Sequence, residues 1–310
     1  MEDIGFQHEA LLYDGPDEYL AGTVPFLRAG IESGQEILVA VGPEQTELLQ
    51  RGLGADAARI GFVDMREVGR NPAAIIPLWR DFVASAAGAR VRGIGEAVWA
   101  SRSDAALEEC RRHESLLNFA FDGGKGFDLL CPYDAVSIGD EILEKVAHSH
   151  PCLNREGRRE PSAIYEARPD CFAGGLPAPE SLPEIFEFEV GGLGEVRRRA
   201  AAAAEEAGMS PREVADVVTA TSELAANSVM HGGGSGSLRL WSDQERLLVE
   251  VEDRGRIEDP LAGRVRPDVS QKGGRGLWLA NELCDLVQIR SDQRGTTVRL
   301  HVLAREAAFV

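Results

Sequence analysis

The stretch SELAANSVMHG (222–232) decides which fold and function this sequence predicts. Small and apolar residues fill most of it, which is typical of a helix packed against a core. Glu223, Asn227 and His231 nevertheless recur at four-residue steps, so a helix would place them on one stripe. On this helix alone, a solvated polar face is the simpler interpretation. The stretches that follow in the chain favour a binding face instead.

The helix that carries this stretch is predicted over residues 211–231. Ser210 is suited to its N-cap and Pro211 to its first turn, and Gly232 would end it. The positions that follow the helical period predict a buried stripe made of Val214, Val217, Val218, Thr221, Leu224, Ala225 and Ser228.

Three later stretches carry residues that suit a phosphate-bearing ligand. VEDRGR (251–256) ends a predicted strand with an acid and a glycine. KGGRGLWLANELCD (272–285) is a glycine-rich loop that opens a helix, whose first N–H groups and dipole favour anions. RGTTVRLHV (294–302) begins the last predicted strand with Gly-Thr-Thr. Each signal is weak singly, and their order along the chain makes the set specific.

In this order the four stretches resemble the Bergerat (GHKL) ATP-binding fold of gyrases, chaperones and histidine kinases. SELAANSVMHG resembles the N box of that fold, and EDRG, GGRGLWLA and GTTVRL resemble its three glycine boxes. The resemblance covers about residues 185–305. GGRGL and the compact size further resemble the anti-sigma-factor serine kinases of bacterial partner-switching systems. The resemblance therefore implies an α+β Bergerat sandwich that binds ATP and Mg²⁺.

The resemblance implies a role for each matching residue. Asn227 would coordinate the Mg²⁺ that bridges the phosphates, and Glu223 would orient or deprotonate the attacking hydroxyl as the catalytic residue. Asp253 would accept a hydrogen bond from the adenine amino group. The other implied cofactor-binding residues are Gly255 beside the base, Gly274 and Gly276 at the phosphates, and Thr297 at the adenine.

One position departs from the pattern of the family. Its first glycine box has a second glycine, D-x-G-x-G, where this sequence has Arg256. The segment 256–272, which corresponds to the lid over the nucleotide, is short and rich in arginine and proline. The sequence therefore predicts ATP binding and leaves open whether the protein is an active protein-serine kinase.

The first half of the chain alternates strand-like with helix-like stretches. EILVAVG (36–42), RIGFVDM (59–65), VRGIGEAVW (91–99) and GFDLLCPYD (126–134) are nearly continuous apolar runs, as in a parallel sheet covered on both faces. Helical stretches between them predict a doubly wound α/β sheet. No phosphate-binding loop follows any of these strands, so no nucleotide is expected there.

FQHEALLY, GIGEAVW, HESLLN and LLCPYD together resemble the MEDS sensory domain over about residues 5–145. That domain is RecA-like without a working phosphate loop. A small-molecule or signal site is expected at strand ends and helix starts, where α/β sheets collect ligands. The candidate residues for this sensory site are His8, Glu96, Trp99, Glu114 and Tyr133. RRHESLLN also resembles a histidine-kinase phosphoacceptor, which makes His113 a candidate for phosphorylation.

Composition and short motifs limit the partners, the location and the metal sites that can be expected. A formal net charge of −18 argues against direct nucleic-acid binding, since phosphates need a positive surface. No export signal or membrane-spanning run is found, so we expect a cytoplasmic protein with no membrane partner. The five scattered cysteines are expected to be reduced. HSHPC (148–152) offers His148, His150 and Cys152 as zinc ligands without a second ligand pair at a recognisable spacing.

Domain boundaries follow from the composition of the middle of the chain. Residues 150–180 are dense in proline, glycine and charge and lack a sustained period, which is typical of a linker. We therefore predict a sensory α/β domain over 1–150, a linker over 151–182 and an ATPase- or kinase-like domain over 183–310.

The functional hypothesis is an anti-sigma factor that regulates transcription by partner switching. Its protein partners would be a sigma factor and an anti-anti-sigma factor, with a small-molecule signal at the first domain. One alternative is the sensor histidine kinase of a two-component system, with His113 as phosphoacceptor. Another is a non-catalytic binding module on the GHKL scaffold. The oligomeric state stays open, with a homodimer among the possibilities.

Overall fold

A computed structural model describes residues 5–124, 126–167, 171–179, 181–243, 246–267 and 274–304 of the protein. Contacts between Cα atoms divide the chain into two compact units, Met1–Pro169 and Asp170–Val310. Among the described residues, no helix combines the length and the apolar composition that crossing a bilayer requires.

Within its described residues, the first unit is a seven-stranded sheet with helices on both faces. Its strands are β1 (Phe6–Tyr13), β2 (Glu36–Val41), β3 (Gly61–Asp64), β4 (Val91–Gly95), β5 (Phe127–Asp134), β6 (Cys152–Arg155) and β7 (Arg158–Pro161). Its helices are α1 (Gly15–Glu32), α2 (Pro43–Leu53), α3 (Met65–Val68), α4 (Ile75–Ser85), α5 (Asp104–Ala120) and α6 (Ala135–Ser149).

The strand order of this sheet is β3-β2-β4-β5-β1-β6-β7, and every pair is parallel except β6 with β7. Leu27 of α1 and Leu49 of α2 belong to the core on one face, together with Ile94. Trp79 of α4 lies on the opposite face, against Phe127. The prediction of an α/β unit with a mainly parallel, doubly covered sheet is confirmed.

Part of the predicted linker belongs to this sheet. The strands β6 and β7 lie at residues 152–161, inside the range 151–182, and β6 pairs in parallel with β1. The compact first unit accordingly extends to Pro169 rather than to residue 150. These strands escaped notice because they are only four residues long and mostly polar, with β7 exposed at the edge of the sheet.

Within its described residues, the second unit is a five-stranded antiparallel sheet of order β11-β12-β10-β9-β8 with helices on one face. The strands are β8 (Glu184–Glu189), β9 (Ser235–Asp243), β10 (Arg246–Asp253), β11 (Leu286–Asp292) and β12 (Gly295–Leu303). The helices are α7 (Leu193–Glu206), α8 (Pro211–His231) and α9 (Arg275–Leu283). The apolar stripes of α7, α8 and α9 meet the inner face of the sheet in one core.

Helix α8 has the predicted bounds, and its start is fixed by a capping box. The Ser210 hydroxyl accepts from the Glu213 N–H at 3.4 Å, while the Glu213 carboxylate accepts from the Ser210 N–H at 2.8 Å. Val217, Leu224 and Ser228 of the predicted stripe are buried. The register of the helix is thereby set, and with it the direction in which its polar stripe points.

The outer face of the second sheet is more buried than its polar residues suggest. Arg299 donates two hydrogen bonds to the Glu250 carboxylate, at 2.6 and 2.8 Å, and a third at 2.9 Å to the Pro177 carbonyl. The Ser291 N–H also donates to the Phe172 carbonyl at 3.4 Å. Residues 171–179 thus lie against this face and cover part of it.

Candidate functional site

A cavity of about 480 Å³ in the second unit lies beside α8, the end of β10 and the start of α9. Its lining contains both apolar and polar or charged residues. The apolar residues include Leu224, Val251, Ile257, Leu261, Leu277 and Val298, and the polar ones include Asn227, Ser228, His231, Asp253, Arg256, Asp259, Arg266 and Thr296. A ligand that has both apolar and charged groups fits this composition.

Asp253 ends β10 at the wall of the cavity and is held there by two donors. The Ser228 hydroxyl donates to one carboxylate oxygen at 2.6 Å, and the Gly255 N–H donates to the other at 2.7 Å. A carboxylate has about four lone-pair sites, so two remain to accept from a ligand. The fixed carboxylate is therefore suited to accept a hydrogen bond from an amino group of a ligand. Ser228 had been predicted only as a core residue.

Gly276 brings the start of α9 against the polar stripe of α8. A Cβ added at Gly276 would lie 2.8 Å from Asn227 Nδ2 and 3.1 Å from Glu223 Oε2, so the ends of these two side chains would have to move to admit it. Asn227 and His231 line the cavity. Glu223 is not among the lining residues and lies beside the cavity, next to Gly276. The three residues of the stripe therefore face the cavity and the first turn of α9.

The first turn of α9 is a suitable place for an anion. Gly274, at the N-cap with φ of 76°, offers no side chain to accept from the first N–H groups of the helix. Such N–H groups and the helix dipole favour negative charge. Gly274 and Gly276 both line the cavity. Lys272 and Gly273 of the same box lie outside the described residues.

Arg256, which departs from the family pattern, lines the cavity without backbone strain. Among the described residues, Ala87 and Glu156 are the non-glycine residues with positive φ, so Arg256 has an ordinary conformation. Arg266 lines the same cavity. Two arginines thus border this cavity in a chain whose net charge is −18, which suits an anionic ligand.

Thr297, predicted to assist at the adenine, lies on the other face of the sheet, away from this cavity. Strand pairing places Thr297 opposite Glu252, and both border a different surface depression. Thr296 is opposite Asp253 and lines the cavity, where its hydroxyl donates to the Gly255 carbonyl at 2.9 Å. Side chains alternate along a strand, so an offset of one residue exchanges the two faces.

The candidate sensory residues of the first unit fall into separate places. His8, Glu114 and Tyr133 come together on the face of the sheet beneath α5 and α6, where they are buried. Glu96 instead contacts Tyr13, and Trp99 stacks under the Arg102 guanidinium at 3.6 Å. Tyr133 is the next-to-last residue of β5 and so lies at a strand end, as predicted. His8 instead lies within β1 and Glu114 within α5.

Burial lowers the pKa of His8 to about 4, so its imidazole is neutral near pH 7. Burial alone would raise the pKa of Glu114, but its contacts with His150 and His8 lower that pKa well below the usual range. The group thus combines a neutral imidazole with a carboxylate inside the unit. Cys131 and His150 belong to the same cluster and were missed as candidates for the sensory site.

Glu96 allows a pH test of the first unit. Burial raises the pKa of Glu96 to about 7, although the Gly42 N–H, the Tyr13 hydroxyl and Arg66 offset part of the effect. The folded state therefore holds the proton more tightly than the unfolded state. This stabilisation is fully present below about pH 4.5, the unfolded value, and is lost as the pH rises through about 7.

Glu96→Gln should remove the loss of stability at high pH, because the amide keeps an acceptor for the Tyr13 hydroxyl and carries no charge. We expect the variant to exceed the wild type in unfolding free energy by about 2–3 kcal/mol at pH 8, with a much smaller difference at pH 4.5. Calorimetric melting of the full chain at both pH values measures the effect. The exposed Glu36→Gln is the control. A wild type and a Glu96→Gln variant with parallel pH profiles would contradict the burial argument.

His113, the candidate phosphoacceptor, is 1% exposed on α5. A phosphoacceptor histidine has to reach a nucleotide, which this burial prevents in the described structure. The position therefore does not favour the histidine-kinase alternative. In HSHPC the three candidate zinc ligands also separate, since His148 is exposed, His150 is buried and Cys152 begins β6.

Comparisons with known proteins place each unit in a family. The family model described as MEDS, "MEthanogen/methylotroph, DcmR Sensory domain", matches residues 7–151. The family model described as "Histidine kinase-like ATPase domain" matches residues 186–302. A search of curated proteins by sequence finds no match.

Among solved structures, the chain is similar to the crystal structure of the RsbU and RsbW domains of Rv1364c from Mycobacterium tuberculosis. The two share 24% sequence identity, with a TM-score of 0.32. The match covers 42% of this chain and 35% of that chain, so this chain spans about a third of it. The two family matches, together with the two compact units, show that the chain consists of a MEDS sensory domain followed by a histidine kinase-like ATPase domain.

Proposed function

We propose that the second unit is a Bergerat fold that binds Mg-ATP in the 480 Å³ cavity. One observation carries the proposal: a fixed carboxylate, Asp253, and an uncapped helix start, at Gly274, border the same cavity. The carboxylate would accept from the adenine amino group, and the first N–H groups of α9 would hold the phosphates. The match to the histidine kinase-like ATPase family over residues 186–302 supports this assignment.

The residues around the helix start fit a magnesium ion and a proton acceptor. Asn227 offers an amide oxygen, a ligand that Mg²⁺ accepts, and Glu223 offers a carboxylate beside it. Mg²⁺ would neutralise charge on the phosphates, and this chain would hold the nucleotide and receive a proton. Glu223 would take the proton from a serine hydroxyl while the serine oxygen bonds to the γ-phosphorus. The bond from that phosphorus to the bridging oxygen of ADP breaks in the same step.

We further propose that the protein is an anti-sigma factor that switches between two protein partners. It would bind a sigma factor and would phosphorylate a serine of an anti-anti-sigma factor, with the MEDS domain receiving the signal. Support comes from the family matches and from the resemblance of GGRGL to anti-sigma-factor kinases. We place it in the cytoplasm, and the boundary between its domains near residue 170.

Nucleotide binding by the full chain tests this proposal first. Ligand linkage predicts that Mg-ATP at 100 times its dissociation constant stabilises the second unit by about 2.7 kcal/mol, which raises its melting temperature. Calorimetric titration with and without Mg²⁺ gives the affinity. Transfer of labelled γ-phosphate to a co-purified partner then separates a kinase from a binding module. No heat and no thermal shift at millimolar ATP would leave the docking module as the better hypothesis.

A further inference from the structure

A compact cluster of metal-binding side chains lies inside the first unit. It consists of His8 on β1, Glu114 on α5, Cys131 on β5 and His150, which follows α6. All four side chains are at most 3% exposed. One ligand atom of each lies within 4.8 Å of the others. Residues from four separate elements of the fold therefore meet at one buried point.

Three of the distances within the cluster match the edges of a small coordination tetrahedron. His8 Nε2 lies 3.3 Å from Glu114 Oε2, and His150 Nε2 lies 3.4 Å from the same oxygen. Cys131 Sγ lies 3.4 Å from His8 Nε2. Bond lengths of about 2.0–2.3 Å to zinc at tetrahedral angles require ligand atoms about 3.3–3.6 Å apart. A single ion at the centre would reach these atoms with little movement.

The outer hydrogen bonds of the two histidines involve their Nδ1 atoms and turn their Nε2 atoms inward. His150 Nδ1 lies 2.9 Å from the Val146 carbonyl, which accepts only, so this nitrogen carries the proton. The Asn118 amide donates through Nδ2 to the Ser149 carbonyl at 2.8 Å, which turns its oxygen towards His8 Nδ1 at 3.1 Å. Both imidazoles therefore turn Nε2, and not Nδ1, towards the Glu114 carboxylate.

The inner atoms of the cluster are mostly acceptors, with the Cys131 thiol, 3.4 Å from His8 Nε2, as a donor among them. Glu114 Oε2 and His150 Nε2 are buried and make no hydrogen bond despite their short separation. Burying hydrogen-bond acceptors without a donor destabilises the folded state, and a cation bound between them removes this destabilisation. The pattern of an outer nitrogen bound to a carbonyl and an inner nitrogen turned inward is the one that histidine ligands of metals show.

We propose that His8, Glu114, Cys131 and His150 bind one divalent transition-metal ion of the Zn²⁺ type in a tetrahedral site. Two imidazoles, a carboxylate and a sulfur are ligands that zinc accepts, and four protein ligands close the site. Binding forms a metal–sulfur bond, and the Cys131 thiol proton is released to solvent. The ion would tie β1, α5, β5 and the end of α6 together. The proposal does not depend on the function of the second unit.

The HSHPC motif supplies matched controls for this site. His150 is in the cluster, whereas His148, two residues earlier, is exposed. Cys152 is a second thiol of the same unit, and it begins β6 outside the cluster. The four-residue cluster therefore predicts that His150 and Cys131 are needed for metal and that His148 and Cys152 are not.

The test is metal binding by the full chain. We expect about one zinc per chain after purification with zinc and dialysis, and cobalt in its place should give strong tetrahedral ligand-field bands with a thiolate charge-transfer band. His150→Ala and Glu114→Gln should lose the metal, and Cys131→Ser should lose the charge-transfer band. His148→Ala and Cys152→Ser should keep both. Asn118→Ala, which removes the partner of His8 Nδ1, should weaken cobalt binding by about 10–100-fold.

The wild-type cobalt spectrum decides the question even if a variant fails to fold, which far-ultraviolet circular dichroism would reveal. Zinc should also raise the melting temperature of the first unit, and a chelator should reverse the rise. A wild type that binds no zinc, and whose cobalt spectrum is that of the hydrated ion, would overturn the proposal and leave a shared proton between Glu114 and the histidines. Loss of metal in His148→Ala and Cys152→Ser would overturn it as well.

Discussion

Glu223→Gln is expected to slow phosphate transfer to a serine acceptor by ~10²–10⁴-fold while leaving the affinity for Mg-ATP nearly unchanged. The glutamine has the same shape and length, so it should preserve the close packing of Glu223 against Gly276. It cannot take up the serine proton. Because Glu223 lies at the edge of the cavity and is not part of its lining, nucleotide binding should not depend on its charge.

Two further variants make this result specific. Asp216→Asn removes a carboxylate two turns earlier on α8, far along the helix from Gly276, and should not change the transfer rate. Asn227→Ala should impair metal-dependent nucleotide binding and transfer together. Single-turnover transfer of labelled phosphate to the purified acceptor measures all of them. Equal rates for the wild type and Glu223→Gln would remove Glu223 from the mechanism.

The strongly periodic elements of the fold could be predicted from sequence, because burial of one face imposes the pattern. Helix α8 has the predicted bounds, since a capping serine, a first-turn proline and a terminal glycine mark its ends. The strands β6 and β7 could not be found in this way. They are short, their residues are largely polar, and pairing with β1 through atoms of the backbone holds β6 in place.

Residues of the proposed nucleotide cavity were predictable to the extent that they are close in sequence. Asp253 and Gly255 lie in one motif, and the structure places both at the cavity. The prediction named Thr297, whereas Thr296 lines the cavity. This is an error of a single position, since adjacent strand residues face opposite ways. Gly-Thr-Thr alone does not tell which threonine points inward.

The cluster in the first unit shows what sequence spacing cannot supply. Its members lie at residues 8, 114, 131 and 150, and the parallel register of β1 and β5 brings two of them to one face. Ala10 is level with Cys131, so His8, two residues earlier, points to the same side as the thiol. No local motif encodes that register. His150 was noticed only beside His148 and Cys152, its sequence neighbours.

The second large expected effect is a change in the nucleotide base that the cavity prefers, and it depends on Asp253. Its carboxylate accepts from the Ser228 hydroxyl at 2.6 Å and from the Gly255 N–H at 2.7 Å. Ser228 Oγ is also 3.2 Å from the Leu224 carbonyl. In Asp253→Asn the amide oxygen can keep the bond from Gly255, while the amide nitrogen donates to Ser228, whose hydroxyl turns to Leu224. The variant should therefore fold, with a donor where the wild type has an acceptor.

In Asp253→Asn a hydrogen-bond donor faces the adenine amino group, which is itself a donor, so the two groups cannot form a hydrogen bond. A base with a carbonyl at the same place would accept a hydrogen bond from the asparagine amide. Asp253→Asn should bind Mg-ATP about 10–100-fold more weakly, from the loss of a hydrogen bond to a charged group, and should bind Mg-ITP relatively better than the wild type does. Calorimetric titration with both nucleotides measures the change of preference. Asp259→Asn alters another acid of the same cavity and should keep the preference for ATP. If Asp253→Asn folds and still prefers ATP to the same degree as the wild type, the base is held elsewhere in the cavity.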